Sequence, residues 1–296
     1  MAAPKTYSSR EIQALYRTHL LREEAILKRI LDHRGSLAGI TEMDLAEDPV
    51  SEITDQNHIG GVKFVKDLAR KAGIGPATEI LDVGCGLGGS ARCLAHLFGC
   101  RVHGVDLSKQ RCSEALDLTK LVGLEDLVTF QHGDVLKIAL PTRRFDVVWA
   151  QSAWVHIENK EKLIKKCRKS LKAEGRIALE EPCLKRLPRN QRENRELRDL
   201  ADHWKSYLEG LDVWTELLSS QSFEVYCKTD LSPELGKLYR KLIRLARGGV
   251  ITHVSRSEQK AWELGLRLVA KGIVGYFRLV ARKLPQGDFS LRAMRA

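Results

Sequence analysis

A glycine-rich turn with a carboxylate at its entrance is the part of the sequence best suited to bind a ligand. The stretch ILDVGCGLGGS places Asp82 two residues before the first of four glycines. Gly84, Gly86 and Gly89 fit the G-x-G-x-x-G pattern of dinucleotide sites, in which glycine lets the backbone approach the ligand. A carboxylate at this place would repel a pyrophosphate and stabilise a cation. Because Gly88 completes the alternative pattern G-x-G-x-G, we interpret the turn as one that passes close to a nucleoside and an amino acid group.

Two further acids follow at the ends of the next predicted strands. Asp106 comes about 20 residues after the glycines, where an acidic side chain can accept hydrogen bonds from both ribose hydroxyls. Asp134 follows the third strand, where a carboxylate suits the exocyclic amine of an adenine. One acid at such a place is often only a helix cap or a turn residue. Three acids in this order, at the carboxyl ends of parallel strands, favour a ligand site.

Alternating strands and helices supply the frame that would position these acids. The predicted strands are TEILDV, RVHGVDLS, VTFQHGDV, FDVVWAQS, GRIALEEP, FEVYCKTD and VGYFRLVARK, and a helical segment follows the first, the second and the fourth of them. The pattern predicts an α/β fold with a doubly wound, mostly parallel seven-stranded sheet. Helical spacing in residues 9–33, 184–222 and 232–272 predicts a helical cap formed by N-terminal helices and insertions.

We divide the chain into four segments. Residues 1–59 are predicted to form an N-terminal helical cap and lid segment, of which residues 36–58 are acidic and irregular. Residues 60–183 form the ligand-binding α/β core. Residues 184–222 form a helical substrate-cap insertion, and residues 223–296 supply the C-terminal strands that complete the sheet, with a helical insertion between them.

Composition narrows the class of protein. The formal net charge of +11 is concentrated in residues 159–172, 184–198 and 236–247, where leucines or isoleucines recur at helical spacing. We interpret these stretches as solvated faces of amphipathic helices, with nucleic-acid binding as the minority alternative. Seven cysteines without CxxC or CxxH spacing favour free thiols, and no metal site is predicted. The N-terminus lacks an apolar signal and no apolar run has the length of a membrane span, so we expect a cytoplasmic protein.

With these motifs in order, the sequence resembles the class I S-adenosylmethionine-dependent methyltransferases. The matching segments are ILDVGCGLGGSA, GVDLS, GDV, FDVVWAQSAWVHI and GRIALEEP, and the ending GYFRLVARK resembles the final strand of that fold. Within the class the sequence is most similar to small-molecule methyltransferases of the sarcosine/dimethylglycine and phosphoethanolamine type. The resemblance implies a Rossmann-like fold, S-adenosylmethionine as cofactor, and methyl transfer to a small molecule. An amine nitrogen is the leading acceptor, with oxygen or an activated carbon as the alternative.

The resemblance also implies which residues bind the cofactor. Asp106 takes the ribose, Leu107 packs on the adenine face, Asp134 with Val135 meets the adenine, and Asp82 helps to orient the charged amino acid end. The complete predicted set, with Gln151 near the methionine part, is Asp82, Gly84, Gly86, Gly88, Asp106, Leu107, Asp134, Val135 and Gln151.

Two histidines are the candidate catalytic residues. His156 lies a few residues past the fourth strand, on the substrate side. In the phosphoethanolamine type a histidine at this matching position orders the substrate and takes a proton, for which an imidazole is well suited. Its partner there is a tyrosine before the first strand, and the matching position here is His58 in DQNHIGG. Either the two histidines share a proton, or His58 only lines the lid.

Several other residues have two readings. Glu180 and Glu181 end the fifth strand and either bind a cationic amine or are ordinary strand-end acids. Trp154, Trp204 and Trp214 either stack on an aromatic or ammonium substrate or pack within the protein.

Two rival functions remain open at this point. One is an RNA methyltransferase that uses the basic helices, and the other is a non-catalytic protein that binds the cofactor. Cys183 follows the fifth strand, where RNA cytosine-C5 enzymes place a nucleophile, but the second cysteine expected after the fourth strand is missing from AQSAW. The Pro-Pro-aromatic motif of adenine N6 enzymes is missing from the same place. We therefore expect a small-molecule partner and no nucleic acid, and a homodimer is compatible with this expectation.

Overall fold

The sheet is the centre of the fold. The computed structural model describes residues 5–17, 19–48, 50–51, 53–251 and 254–285. The strands in this part of the chain are β1 (Glu79–Val83), β2 (Arg101–Asp106), β3 (Val128–His132), β4 (Phe145–Gln151), β5 (Leu171–Leu184), β6 (Phe223–Asp230) and β7 (Val274–Lys283). They form one seven-stranded sheet in the order β3-β2-β1-β4-β5-β7-β6. Neighbours from β3 to β5 are parallel, and β7 is antiparallel to both β5 and β6. The predicted mostly parallel sheet is confirmed.

Helices cover both faces of the sheet. The helices of the described residues are α1 (Ser9–Arg17), α2 (Glu23–Arg34), α3 (Glu42–Ala46), α4 (Gly61–Ala72), α5 (Gly89–Phe98), α6 (Lys109–Leu121), α7 (Lys160–Ser170), α8 (Gln191–Trp204), α9 (Leu211–Ser220), α10 (Ser232–Arg247) and α11 (Arg256–Ala270), with a 3₁₀ turn at Trp154–His156. On β4, Val147 and Trp149 pack with α4 and α5, and Val148 and Ala150 pack with α7 and α9. A strand that is buried on both faces needs such an uninterrupted apolar run.

The predicted helical cap is present. Helices α8, α10 and α11 pack on one another and on β7 through a cluster that includes Leu200, Leu235, Leu268 and Val274. Helix α2 packs against α3 and α6, and α3 packs against α5. The division of the chain at residues 59, 183 and 222 stays a prediction.

One segment departs from expectation. Residues 36–58 are predicted to be irregular, but α3 lies among them. The side chain of Asp44 accepts hydrogen bonds from the backbone N–H and the hydroxyl of Thr41, and Thr41 in turn caps the backbone of the first turn. This capping box satisfies the backbone donors that so short a helix otherwise leaves free.

The basic stretch on α7 has the amphipathic character expected of it. Lys162, Lys165 and Lys169 are exposed, whereas Leu163 and Ile164 are fully buried against the sheet. These three charges therefore lie on a solvated helix face, whereas Lys160 in the same stretch is buried.

Candidate functional site

The carboxyl ends of β1, β2 and β4 open into a cavity of about 300 Å³, which we call the strand-end cavity. Helix α1 lies across it. The predicted site residues that line it are Asp82, Gly84, Gly86, Asp106, Leu107, Asp134, Val135, Gln151, His58 and His156. Gly88 belongs to the same turn but lies outside the lining.

The glycines of the turn have different tasks. Gly84 and Gly88 have φ angles of +84° and +77°, and a Cβ added at either would come within 2.4 Å of Ala153 or 2.6 Å of Phe130. A Cβ added at Gly86, where φ is +54°, would meet nothing within 4 Å. Gly84 and Gly88 therefore allow the turn to pack on the protein, and the free space over Gly86 leaves the backbone open to a ligand.

Asp82 is a buried carboxyl group at the end of β1, beside the glycine turn. It is 2% exposed, and its Oδ2 has no hydrogen-bond partner among the residues that the structure describes. Burial, and then the negative charge of Asp106, raises the pKa of Asp82 to about 8 from its ordinary 3.8. An orphaned buried carboxyl group is costly for the free protein, and a cationic ligand group would satisfy it.

Asp106 is held in a fixed orientation at the end of β2. Its two oxygens accept hydrogen bonds from the backbone N–H groups of Gly86, at 2.9 Å, and Ser108, at 2.8 Å. Burial raises the pKa of Asp106, and these N–H groups oppose that shift. Each carboxylate oxygen accepts more than one hydrogen bond, so Asp106 retains the capacity to bind hydroxyl groups.

Asp134 and Gln151 line the same cavity but also serve the fold. One oxygen of Asp134 accepts a hydrogen bond from the backbone N–H of Leu136 at 2.9 Å. Asp134 therefore stabilises the turn after β3 as well as lining the cavity. Gln151 accepts from the hydroxyl of Ser90 at 2.8 Å and donates to Glu180 at 2.7 Å. These contacts fix the amide of Gln151 beside the glycine turn.

His156 forms a hydrogen-bonded pair with Tyr16. The Nδ1 of His156 lies 3.1 Å from the backbone carbonyl of Lys205, which can only accept, so Nδ1 carries the proton. The Nε2 is then the acceptor for the Tyr16 hydroxyl at 2.7 Å. Burial lowers the pKa of His156 to about 4 and raises the pKa of Tyr16. The pair therefore presents a neutral imidazole base to the cavity.

His58 is not the partner of His156. Its ring nitrogens lie 3.0 Å from the carbonyl of Ile59 and 3.0 Å from the side-chain oxygen of Gln56. Burial lowers the pKa of His58 to about 4. Of the two readings offered by the sequence, the geometry favours the one in which His58 lines the lid.

Helix α1 is attached to the core at two places, which brings Tyr16 over the cavity. The side chain of Gln13 donates to the backbone carbonyl of Leu107 at 3.0 Å. The guanidinium of Arg111 donates to the backbone carbonyl of Tyr16 at 3.3 Å, and to that of Leu21 beyond the helix at 2.7 Å. It also lies 5.4 Å from the centre of the Tyr16 ring. Sequence reasoning missed Tyr16.

Glu180 and Glu181 are structural acids that line neither of the cavities described in this section. The carboxylate of Glu181 accepts three backbone N–H groups of residues 153–155, at 2.8–3.1 Å, and so fixes the turn that ends in His156. Glu180 forms an ion pair with Arg278 at 2.6 Å. Burial raises the pKa of both glutamates to about 7. Neither is placed to bind a cationic amine.

A buried arginine anchors the lid segment. Arg92 is fully buried and pairs with Glu42 at 3.0 Å and Asp55 at 2.7 Å. A Cβ on Gly89 would lie 2.3 Å from the carbonyl oxygen of Asp55, so the lid approaches α5 closely. The residues from Asp55 to His58 are thereby held against the cavity.

A second cavity of about 230 Å³ adjoins the first. The residues that line both are Tyr16, Asn57, His58, Ser152 and His156. The Tyr16–His156 pair therefore lies where the two cavities meet.

The described residues also limit other chemistry. Among them there is no helix long and apolar enough to cross a membrane, and no group of three His, Cys, Asp or Glu side chains arranged to hold a metal ion. All seven cysteines of the sequence are free thiols, and Cys183 is buried.

The sheet order, the glycine turn and the acids at the strand ends define a Rossmann-like nucleoside-binding fold. Residues 81–179, about a third of the chain, match the family model described as a methyltransferase domain. This match confirms the resemblance to methyltransferases over the segment that contains β1 to β5.

Individual relatives point the same way. A glycine/sarcosine/dimethylglycine N-methyltransferase from Actinopolyspora halophila is 33% identical over 120 residues, which are 40% of this chain and 21% of that protein. A phosphoethanolamine N-methyltransferase from Plasmodium falciparum is 27% identical over 187 residues, which are 61% of this chain and 67% of that protein. The match thus spans about a fifth of the first relative and two thirds of the second.

A solved structure confirms the fold. The Haemonchus contortus phosphoethanolamine N-methyltransferase 2, in complex with phosphomonomethylethanolamine and S-adenosylhomocysteine, superposes with a TM-score of 0.74. The alignment covers 96% of this chain and 62% of that chain at 20% identity. At this identity the likeness concerns the fold alone.

Proposed function

We propose that the protein is an S-adenosylmethionine-dependent methyltransferase that acts on a small molecule, with an amine nitrogen as the leading acceptor. One observation carries the proposal. A single cavity holds an unpaired buried carboxyl group at Asp82, a fixed carboxylate at Asp106 and a neutral base at His156. These groups match, in order, an ammonium group, a ribose and an acceptor that must lose a proton.

The residues of the strand-end cavity fit the cofactor. Asp82 binds the cationic amino acid end, and Asp106 binds the ribose hydroxyls. Leu107 and Val135 contact the adenine, and Asp134 serves its amine through its remaining acceptor capacity, one oxygen also lying 3.4 Å from the exposed Lys137 ammonium. The cofactor supplies a methyl group already activated on a sulfonium. The task of the protein is therefore to bind, orient and exclude water.

The Tyr16–His156 pair handles the proton. An amine nitrogen that accepts a methyl group gains a positive charge and must release one proton to remain neutral. The Tyr16 hydroxyl takes that proton as it passes its own to the Nε2 of His156, and the carbonyl of Lys205 keeps the ring in the required tautomer. Burial keeps the ring of His156 neutral in the physiological range, so its Nε2 has a lone pair directed at the Tyr16 hydroxyl.

Oxygen and carbon acceptors remain the alternatives for the same site. An amine is favoured because both relatives described above are N-methyltransferases. Carbon stays open because a sterol 24-C-methyltransferase from Gibberella zeae is also 36% identical over 108 residues. We also propose a cytoplasmic location, since seven free thiols suit a reducing compartment. No nucleic-acid partner is needed by this proposal, and a homodimer is compatible with it.

The experiment that tests the function is release of S-adenosylhomocysteine from a panel of amines, phenols and carboxylates. We expect turnover with the amines and its loss in His156→Ala, with cofactor binding retained. Tight cofactor binding without any transfer would favour the non-catalytic alternative. RNA binding that weakens steeply with salt would favour the RNA-directed alternative.

A further inference from the structure

The second cavity, which we call the apolar cavity, is built by the cap. Helices α8, α10 and α11 form part of its wall, mainly through leucine and aromatic side chains. The apolar side chains that these helices place in the wall include Leu200, Trp204, Leu238, Tyr239, Leu242 and Trp262. Ordinary core packing would fill such a space, so an apolar cavity that opens on a catalytic pair suits a ligand.

The position of the cavity identifies its occupant as the methyl acceptor. It meets the strand-end cavity at Tyr16, Ser152 and His156. A molecule that lies among the leucines therefore presents one end to the hydroxyl and imidazole of the proposed base. The cofactor residues Asp82 and Asp106 line only the other cavity.

The charge of the lining determines which acceptors fit. The described residues that line the apolar cavity include no lysine and no arginine, and Glu258 is their only acid. Burial raises the pKa of Glu258 and lowers the pKa of His19 to about 3, so His19 stays neutral. A carboxylate or phosphate placed here would lack a cationic partner and would lie near an acid, which is costly in a dry site.

Size and polar contacts narrow the class further. Liquid water occupies about 30 Å³ per molecule, so the cavity holds on the order of eight non-hydrogen atoms. The indole N–H of Trp204 has no hydrogen-bond partner among the described residues. The rings of Trp204 and Trp262 also offer faces that attract a cationic or aromatic group.

We propose that the methyl acceptor is a hydrophobic amine without an anionic group, such as an arylalkyl or alkyl amine, whose body fills the apolar cavity. This inference rests on the proposed methyltransferase function. It separates this chain from the acceptors named for its relatives, because sarcosine carries a carboxylate and phosphoethanolamine carries a phosphate.

Matched acceptors test the proposal. The series methylamine, butylamine and hexylamine, and the pair 2-phenylethylamine and phenylalanine, are assayed with the full chain by release of S-adenosylhomocysteine. We expect kcat/KM to rise by about fourfold for each added methylene until the cavity is full. We expect phenylalanine, sarcosine and phosphoethanolamine to react at least a hundredfold more slowly than 2-phenylethylamine. Faster reaction of the anionic acceptors would overturn the proposal.

Variants locate the effect. Leu238→Trp fills the apolar cavity and is expected to reduce kcat/KM for 2-phenylethylamine at least tenfold, with unchanged affinity for S-adenosylmethionine. The control is Leu116→Trp on α6, where the leucine is 39% exposed. Leu238→Ala, which enlarges the cavity, is expected to move the optimum towards longer amines and provides a second test if the tryptophan variant does not fold. An unchanged amine preference in both folded variants would contradict the proposal.

Binding provides a readout that does not depend on transfer. The fluorescence of Trp204 and Trp262 is expected to change on titration with 2-phenylethylamine in the presence of S-adenosylhomocysteine, and not with phenylalanine. Amine binding without turnover would support the acceptor class and contradict the methyltransferase proposal. Turnover of sarcosine or phosphoethanolamine that Leu238→Trp leaves unchanged would support the methyltransferase proposal and contradict the proposed acceptor class. Absence of amine binding would overturn the acceptor class.

Discussion

Replacement of Tyr16 by phenylalanine isolates the hydroxyl that contacts His156. The ring is retained, so its contact with the Arg111 guanidinium at 5.4 Å and its place on α1 are preserved. The substitution removes the 2.7 Å hydrogen bond and leaves the Nε2 of His156 without that donor. The change therefore bears on proton transfer more than on the architecture of the cavity.

The magnitude has two parts. A buried acceptor that loses its partner costs about 1–3 kcal/mol, and for a chain of this size that lowers Tm by only a few degrees. Loss of a positioned proton-transfer group reduces turnover by roughly 10²–10⁴-fold. If Tyr16 relays or orients the proton, kcat must fall much further than the modest stability loss explains, and the affinity for S-adenosylmethionine must change little.

The assay compares kcat, cofactor affinity and Tm for the wild type and Tyr16→Phe. Tyr226→Phe is the matched control. Tyr226 is an exposed residue of β6, away from both cavities, and its hydroxyl donates to the backbone carbonyl of Lys71. A kcat within threefold of the wild type would refute the role of Tyr16. If kcat falls only in proportion to the fraction of folded protein, the Tyr16 hydroxyl has a structural role alone.

Three further substitutions replace buried charged residues. In the wild type, the pKa of Asp82 is 3.8 in the unfolded chain and about 8 in the folded protein, so folding becomes less favourable as pH rises between these values. Asparagine does not ionise, so Asp82→Asn is expected to gain stability relative to the wild type over the same range. Melting curves from about pH 4 to about pH 8 check this. The same variant should bind S-adenosylmethionine more weakly at pH 8, and equal affinity there would contradict the assignment of Asp82. Arg92→Met is expected to cost about 3–5 kcal/mol, measured by urea unfolding, because Glu42 and Asp55 would stay buried without their partner; a cost below 1 kcal/mol would show that the lid is not anchored there. Glu181→Gln is expected to lower kcat with a smaller effect on cofactor affinity, because a carboxylate that accepts three backbone N–H groups of the turn before His156 is replaced by an amide. Glu181→Asp should restore little, because its side chain is too short to reach the turn. A normal kcat in Glu181→Gln would contradict this positioning role.

Much of the fold was predictable because local rules and tertiary packing agree. The strands FEVYCKTD and VGYFRLVARK have the bounds predicted from their sequence. The helix at Gly61–Ala72 ends at Gly73, whose left-handed backbone closes it. Helix α3 was not predictable from apolar spacing, because it is only five residues long and depends on the capping box of Thr41 and Asp44.

The site was predictable where it depends on strand ends, and not where it depends on the cap. Asp82 and Asp106 lie at the carboxyl ends of the neighbouring parallel strands β1 and β2, so the strand pattern of the sequence predicts that both line one cavity. Tyr16 meets His156 across 140 residues, and neither the length of the chain between them nor the motif around His156 predicts that contact. The only signal was that Ile12, Gln13 and Tyr16 share one face of a helix, and all three line the strand-end cavity.

The proposed function requires the strand-end cavity to bind S-adenosylmethionine through the acids at the strand ends. Calorimetric titration of S-adenosylmethionine into the wild type and Asp106→Ala tests it most directly, with Asp126→Ala, an exposed acid, as control. Loss of two hydrogen bonds to a charged acceptor predicts an affinity weaker by roughly a hundredfold in Asp106→Ala. The control should bind like the wild type. Equal affinity of Asp106→Ala and the wild type, or no binding by the wild type, would contradict the account.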